Sequence, residues 1–235
     1  MYYNPMYYGF DSTYILVIIA MIFTVIVQAY MTSTFNKFQQ VESKSGLTAR
    51  DAARLILDKN GINNVEIGRT AGNLTDHYAP LEKKLNLSDT TYNSTSIASI
   101  GVAAHEAGHA IQDHTGMFLL KFQMRMVPVV NFASKLSIPV LLIGLLLSSF
   151  NLISIGIILF SATLVYQLLT LPIEFNASNN AIKTLRANGL MDEAELAGVK
   201  KVLTAAALTY VAAAATTIMQ LLRFILIANN SRRRN

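Results

Sequence analysis

The chain has 235 residues, 52% of them hydrophobic and only 14% charged, with a mean hydropathy of +0.39, which excludes an ordinary water-soluble protein and places it in a lipid bilayer. It contains no cysteine, so a disulfide framework, a thiolate metal site and a cysteine nucleophile are excluded, and any metal must take His, Asp or Glu ligands. The net charge of +5 does not point to nucleic acid, because the basic residues are scattered among acids except at Arg232, Arg233 and Arg234, a cluster that suits anionic lipid headgroups.

The first 13 residues are rich in Tyr and hold no Lys or Arg, so they lack the basic region of a cleavable secretory signal, and the apolar run after them is expected to stay as an anchor. Tyr14 to Met31 is uncharged over 18 residues, enough at about 1.5 Å per residue to cross a hydrocarbon core of roughly 30 Å. Tyr2, Tyr3, Tyr7, Tyr8 and Tyr14 suit an aromatic belt at its interface. From residue 32 to about 126 the composition becomes that of a water-soluble module. Thr48 is positioned to cap a helix running to about Asn60, with Gly61 as its stop. Short strands are expected at Val65 to Ile67, Leu74 to Tyr78 and Leu85 to Leu87. The segment from His77 to Leu87 reads equally as an edge strand beside a cleft or as an ordinary hairpin. Ser94 to about Asp113 has helical spacing of Ile97, Ile100, Ala104 and Ile111.

Ser134 to Phe150 and Leu152 to Leu171 form a membrane hairpin with Asn151 as its break. Pro172 marks a kink or restart, after which a polar helix over 172–189 ends at Gly189. Residues 190–235 read as one long C-terminal helix, spanning or lying against the soluble module, with a basic tail. Lys37, Lys44, Arg50 and Arg54 follow the first span, and Lys183, Arg186, Lys200 and Lys201 follow the hairpin, which puts the soluble module on the cytoplasmic face of the plasma membrane. The Arg triplet opposes this orientation if the last helix crosses fully.

His105, Glu106, Ala107, Gly108 and His109 spell HExxH. On a helix the two histidines share a face and can grip one Zn2+ ion, with Glu106 beside it to act as general base. Zinc lowers the pKa of its bound water to about 7, so peptide hydrolysis is the chemistry the pattern implies. A catalytic site also needs a third protein ligand. Glu174, a carboxylate at the edge of an apolar run, is the leading candidate, with Asp113 and His114 as rivals; Asp113 is better placed to orient a ligand than to be one. Gly108 fits either close helix packing or room for a substrate. Tyr78, Tyr92, Tyr166 and Tyr210 are unranked candidates for donating to an oxyanion.

HEAGHAIQD, the preceding DHYAP and LNLS, and LPIEFNAS after a membrane hairpin resemble the YugP-type membrane zinc metallopeptidases over almost the whole chain, and more distantly the HtpX-type gluzincins. The resemblance implies a mainly α membrane protein with a zincin-like α+β catalytic domain, a small β-sheet and three or four transmembrane helices. It implies His105, His109 and Glu174 as zinc ligands, Glu106 as catalytic base, and a peptide or protein substrate, membrane proteins included. The chain departs from the related patterns at Ser178, where HtpX-like proteins carry an acid, and at Ala79 and Asn176, where Asp is common. A membrane scaffold or pore component with a structural or vestigial metal site is the rival reading. Ser148, Ser149, Thr163 and Gln167 are too few to line a pathway through the hairpin. Asp89, Glu106 and Asp113 lie too close together for the HExxH helix itself to span the bilayer.

Overall fold

The computed structural model describes residues 13–232, and side chains through residue 229, so the tail tyrosines before Tyr14 and the Arg triplet's side chains lie outside the described residues. Six helices and three strands follow in the order α1 (Tyr14–Gln39), α2 (Ala49–Lys59), β1 (Glu66–Thr70), β2 (His77–Ala79), β3 (Lys84–Ser88), α3 (Ile97–His114), α4 (Phe118–Leu146), α5 (Phe150–Ala187) and α6 (Glu193–Arg232). The protein is thus mainly helical with one small sheet. Helices α1, α4, α5 and α6 are each long and apolar enough to cross a membrane.

The chain divides into two compact units, neither continuous in sequence. One, the membrane unit below, comprises residues 1–27, 125–168 and 210–235; the other, the HExxH unit, comprises residues 28–124 and 169–209.

In the HExxH unit, local chemistry sets the element ends. Thr48 caps α2 by accepting the Asp51 N–H at 3.2 Å while its hydroxyl donates to the Asp51 carboxylate at 2.7 Å. Gly61, at φ +72°, closes the other end, with the Ile62 N–H on the Leu57 carbonyl. Ser96 caps α3 through the Ser99 N–H, and Asp192 with Glu195 forms a reciprocal capping box at the start of α6. The sheet order is β1-β3-β2, with β1 parallel and β2 antiparallel to β3. Leu85 and Leu87 on β3 alternate into the core, which α2 supplies through Ile56 and Leu57, α3 through Ile100 and Ala104, and α5 through Ala181 and Leu185. Burying this apolar surface from water drives the unit together.

Of the two readings of His77 to Leu87, the structure has the β-hairpin: β2 and β3 pair antiparallel across a reversal at residues 80–83, where Lys83 takes φ +51°, so β3 is central and β1 and β2 are the edges. Two expectations for the membrane segments are corrected. The hairpin breaks at residues 147–149 rather than at Asn151, with Ser148 at φ +51° and the Ser149 N–H on the Gly144 carbonyl; its first helix begins at Phe118, well before Ser134. Residues 172–189 are not a separate helix. Pro172 lies inside α5, where it removes one main-chain donor without ending the helix, and the buried Ile173, Ala177, Ala181 and Leu185 continue at four-residue spacing beyond it.

Candidate metal centre

His105 and His109 lie one turn apart on α3, and their rings meet edge to face with centroids 4.8 Å apart. Glu174 comes from α5. Its Oε2 lies 3.2 Å from His105 Nε2 and 3.7 Å from His109 Nε2, and one ligand atom from each of the three residues falls within 4.8 Å of the others. Two imidazole nitrogens and a carboxylate oxygen, without sulfur, fit zinc and leave a position open. Among the described residues this is the one group of three or more His, Cys, Asp or Glu side chains with such geometry.

The close approach of α3 and α5 depends on Gly108. A Cβ there would lie 2.6 Å from the Ala177 carbonyl oxygen, a backbone atom that can yield only if the helix moves. Between its packing and substrate-space readings, the geometry selects packing: Gly108 lets the helix carrying Glu174 come within ligand distance of the helix carrying the histidines.

The outward-facing ring nitrogens also have partners. His109 Nδ1 is 2.9 Å from Gln112 Oε1, and the Gln112 amide nitrogen donates to the Ile173 carbonyl at 2.8 Å and to Asn176 Oδ1 at 2.9 Å. Those two acceptors fix the amide orientation, so Oε1 accepts from His109 Nδ1–H and Nε2 is the ring nitrogen on the Glu174 side. His105 Nδ1 is 3.2 Å from the Ser178 hydroxyl, which stands where an acid was expected from the HtpX pattern. Gln112 was not recognised as a site residue in the sequence, and Asn176 was noted only as a departure from the related pattern. The signal was weak: a Gln three residues after the second histidine, on a helix face otherwise reading as core.

In the metal-free protein, burial pushes the His109 imidazolium down, but the hydrogen bond to Glu174 and the charges of Glu106 and Glu174 outweigh it and raise the pKa to about 9. Glu106 is nearly buried, and its Oε2 accepts the backbone N–H of Tyr78 on β2 at 2.8 Å.

Asp113 is not in the three-residue group. Its Oδ2 accepts the Tyr78 hydroxyl at 2.7 Å and the Lys83 ammonium at 2.5 Å, pinning β2 and its turn to α3. Burial alone would raise Asp113, but these donors hold its carboxyl below the usual range; burial and Asp113 push the Tyr78 phenol up. His114 is an exposed residue at the helix end. Of the tyrosine candidates, Tyr78 has its hydroxyl engaged by Asp113, Tyr92 packs on the core under the Arg50 guanidinium, and Tyr166 and Tyr210 belong to the membrane unit.

A family model described as "Putative neutral zinc metallopeptidase" matches residues 13–229. The chain is 47% identical over 208 residues to a Bacillus subtilis (strain 168) protein named "Putative membrane protease YugP", covering 88% of this chain and 92% of that one. No solved structure matches it. The match along nearly the full chain, together with the two histidines and the glutamate that meet between α3 and α5, leads to one assignment: the chain belongs to the family described as "Putative neutral zinc metallopeptidase".

Proposed function

We propose that the protein is a membrane-anchored zinc endopeptidase that hydrolyses peptide bonds at or near the membrane surface. The observation that carries the reading is the convergence of His105, His109 and Glu174 beside a Glu106 carboxylate held by a backbone N–H. Three protein donors rather than four suit a catalytic rather than a structural zinc site.

His105, His109 and the Glu174 carboxylate would hold the ion. When bound, zinc supplies Lewis acidity that polarises the scissile carbonyl and makes water nucleophilic at neutral pH. Glu106 takes the proton of the attacking water and returns it to the leaving amine. The Tyr78 N–H on Oε2 steadies the carboxylate and leaves Oε1 to carry that proton. In an antiparallel strand the N–H and C=O of one residue point to the same side, so the Tyr78 carbonyl shares the outer edge of β2 with its N–H and can accept a main-chain N–H of an extended substrate. Main-chain pairing of this kind gives breadth of specificity. The basic residues that follow the first span and the hairpin support a cytoplasmic HExxH unit in the plasma membrane.

The test is cleavage of quenched fluorescent casein by detergent-purified protein. The wild type should cleave it and Glu106→Gln should not, with zinc content equal in the two. Equal cleavage by both would sink the assignment of Glu106 and with it the mechanism.

A further inference from the structure

Among the described residues of the HExxH unit, the two most exposed large apolar side chains are Leu81, at 90%, and Phe118, at 75%. Leu81 stands in the turn between β2 and β3, and Phe118 opens α4, where its ring stacks on that of the exposed Phe122 with centroids 5.9 Å apart. In water such side chains are costly to display, whereas at a lipid surface they are the residues expected.

A hydrogen bond fixes the level of Phe118 and Phe122. The Gln123 amide nitrogen donates to the Thr170 hydroxyl at 2.7 Å. Thr170 ends the apolar run that begins at Leu152, which at about 1.5 Å per residue spans a hydrocarbon core of roughly 30 Å. Gln123 therefore lies at the edge of that core, with Phe122 and Phe118 about 1.5 and 7.5 Å beyond it along α4, in a headgroup layer roughly 5–8 Å thick. Lys121 marks the same boundary. A Cβ at Gly116 would stand 3.0 Å from Lys121 Nζ, so the lysine runs back along α4 away from the apolar stretch, as lysines do where they reach out of lipid.

The β2–β3 turn lies beside this junction. Lys83, two residues after Leu81, pairs with Asp113 at 2.5 Å, and the Lys121 charge helps hold that same carboxyl down. We propose that Leu81, with Phe118 and Phe122, docks the HExxH unit on the headgroup–acyl boundary of the bilayer. The occupant follows from continuity and charge. Phe118 and Phe122 belong to a helix long and apolar enough to cross the membrane, and that helix holds Lys121 but no Asp or Glu to repel anionic headgroups. Glu82, exposed next to Leu81, sets the depth, because a carboxylate is costly in hydrocarbon and at home among headgroups. Glu174 follows Thr170 by four residues, about 6 Å along α5, so the third ligand stands at the level of the same layer. On the peptidase reading above, the docked turn then presents the β2 edge to chain segments at that depth; the docking itself does not rest on that reading, and its test reads no activity.

The chain holds no cysteine, so single nitroxide labels can be placed without background. Leu81→Cys, Phe118→Cys, Ala187→Cys and Val129→Cys are spin-labelled and reconstituted in phosphatidylcholine and phosphatidylglycerol vesicles. Collision rates are then compared for oxygen, which concentrates in lipid, and for a polar nickel chelate, which stays in water. Ala187, exposed at the end of α5 about 25 Å beyond Thr170, marks water, and Val129, exposed on α4 about 9 Å past Gln123 into the apolar stretch, marks hydrocarbon. The oxygen-to-nickel ratio at Leu81 and Phe118 should exceed that at Ala187 about fivefold or more and stay below that at Val129. A ratio at Leu81 equal to that at Ala187 overturns the docking, whatever Phe118 shows. Spin–spin broadening at Leu81 without a raised ratio overturns it too, in favour of a second copy of the chain covering the turn. The unlabelled wild type supplies a second measurement, free of any preference of the label for lipid. A diazirine carried just below the headgroup of phosphatidylcholine should leave adducts on the turn at residues 80–83 after photolysis, and adducts on α4 with none on the turn would contradict the proposal.

Discussion

Two glutamines with buried polar atoms show how differently the two units treat the same side chain. Gln112, in the HExxH unit, has its carbonyl and amide nitrogen engaged by His109, Ile173 and Asn176, whereas Gln167, in the membrane unit, keeps an orphan carbonyl oxygen. The apolar residues invert in the same way. Ile56, Leu57 and Leu85 have no exposed surface, while in the membrane unit Ile158 is 69% exposed and Leu146 84%. Burial in the first unit reports exclusion from water, and in the second the apolar exterior reports a solvent of lipid. The lesson is that a buried polar group must be judged by its partners and its solvent together, since water can rescue an orphan where hydrocarbon cannot.

The largest effect expected on the HExxH side of this comparison is chemical. Glu106→Gln should lower kcat/KM for peptide cleavage by about 10²–10⁴, the usual contribution of a general base, without loss of zinc. Retained activity would break the claim that this unit is built around a reaction.

Paired glycine substitutions sharpen the contrast next. Gly108→Ala forces a Cβ against the Ala177 carbonyl, and Gly156→Ala forces one to 2.5 Å from Leu141 Cγ within the membrane hairpin. Each should destabilise by about 1–3 kcal/mol, read as a lowered Tm, but only Gly108→Ala should also weaken zinc binding. An equal loss of zinc affinity in both would mean that the helix crossing at Gly108 has no special hold on the ligands.

The glutamines themselves come third. Gln112→Leu should cost about 10–100-fold in zinc affinity, the scale for partners that orient metal ligands, because His109 loses the acceptor that fixes its tautomer. Gln167→Leu should leave zinc affinity untouched and Tm level or higher, since it removes an orphan polar atom. Isothermal titration with zinc and thermal unfolding read both.

Per pH unit, the mildest change is a pH dependence. His109 in the metal-free protein is raised from 6.5 to about 9 and must give up that proton to take the metal, so zinc affinity should climb as pH rises from 7 toward 9 and level off above. A one-proton exchange gives about tenfold per pH unit. The sign for metal-free stability is the reverse. The protonated histidine's contribution is fully present below pH 6.5 and is lost as pH rises through 9, so the Tm of the metal-free protein should fall over that interval. Gln112→Leu should alter this profile and Gln167→Leu should not.

Much of the HExxH helix and the caps was legible in the sequence, because Thr48, Gly61 and the two histidines act through neighbours within one turn. What the sequence left open depends on contacts between distant segments. That β3 is central follows from its parallel partner β1, and no local pattern announces a parallel neighbour. Pro172 reads locally as a break, yet packing of Ile173 and Ala177 beyond it keeps α5 continuous. The sequence offered Glu174, Asp113 and His114 as rival third ligands, with Glu174 leading. Their separation rests on the close crossing at Gly108 and on Lys83 and Tyr78 engaging Asp113, none of which spacing alone can express.

The most direct test of the central claim is zinc content with X-ray absorption at the zinc edge, comparing Glu106→Gln with Glu174→Ala. The account predicts one zinc per chain in Glu106→Gln, with imidazole nitrogen and carboxylate oxygen donors at about 2.0–2.2 Å and no sulfur, and loss of that zinc in Glu174→Ala. Zinc retained in Glu174→Ala with an unchanged donor set would contradict it, because the metal would then be held elsewhere or by the histidines without α5.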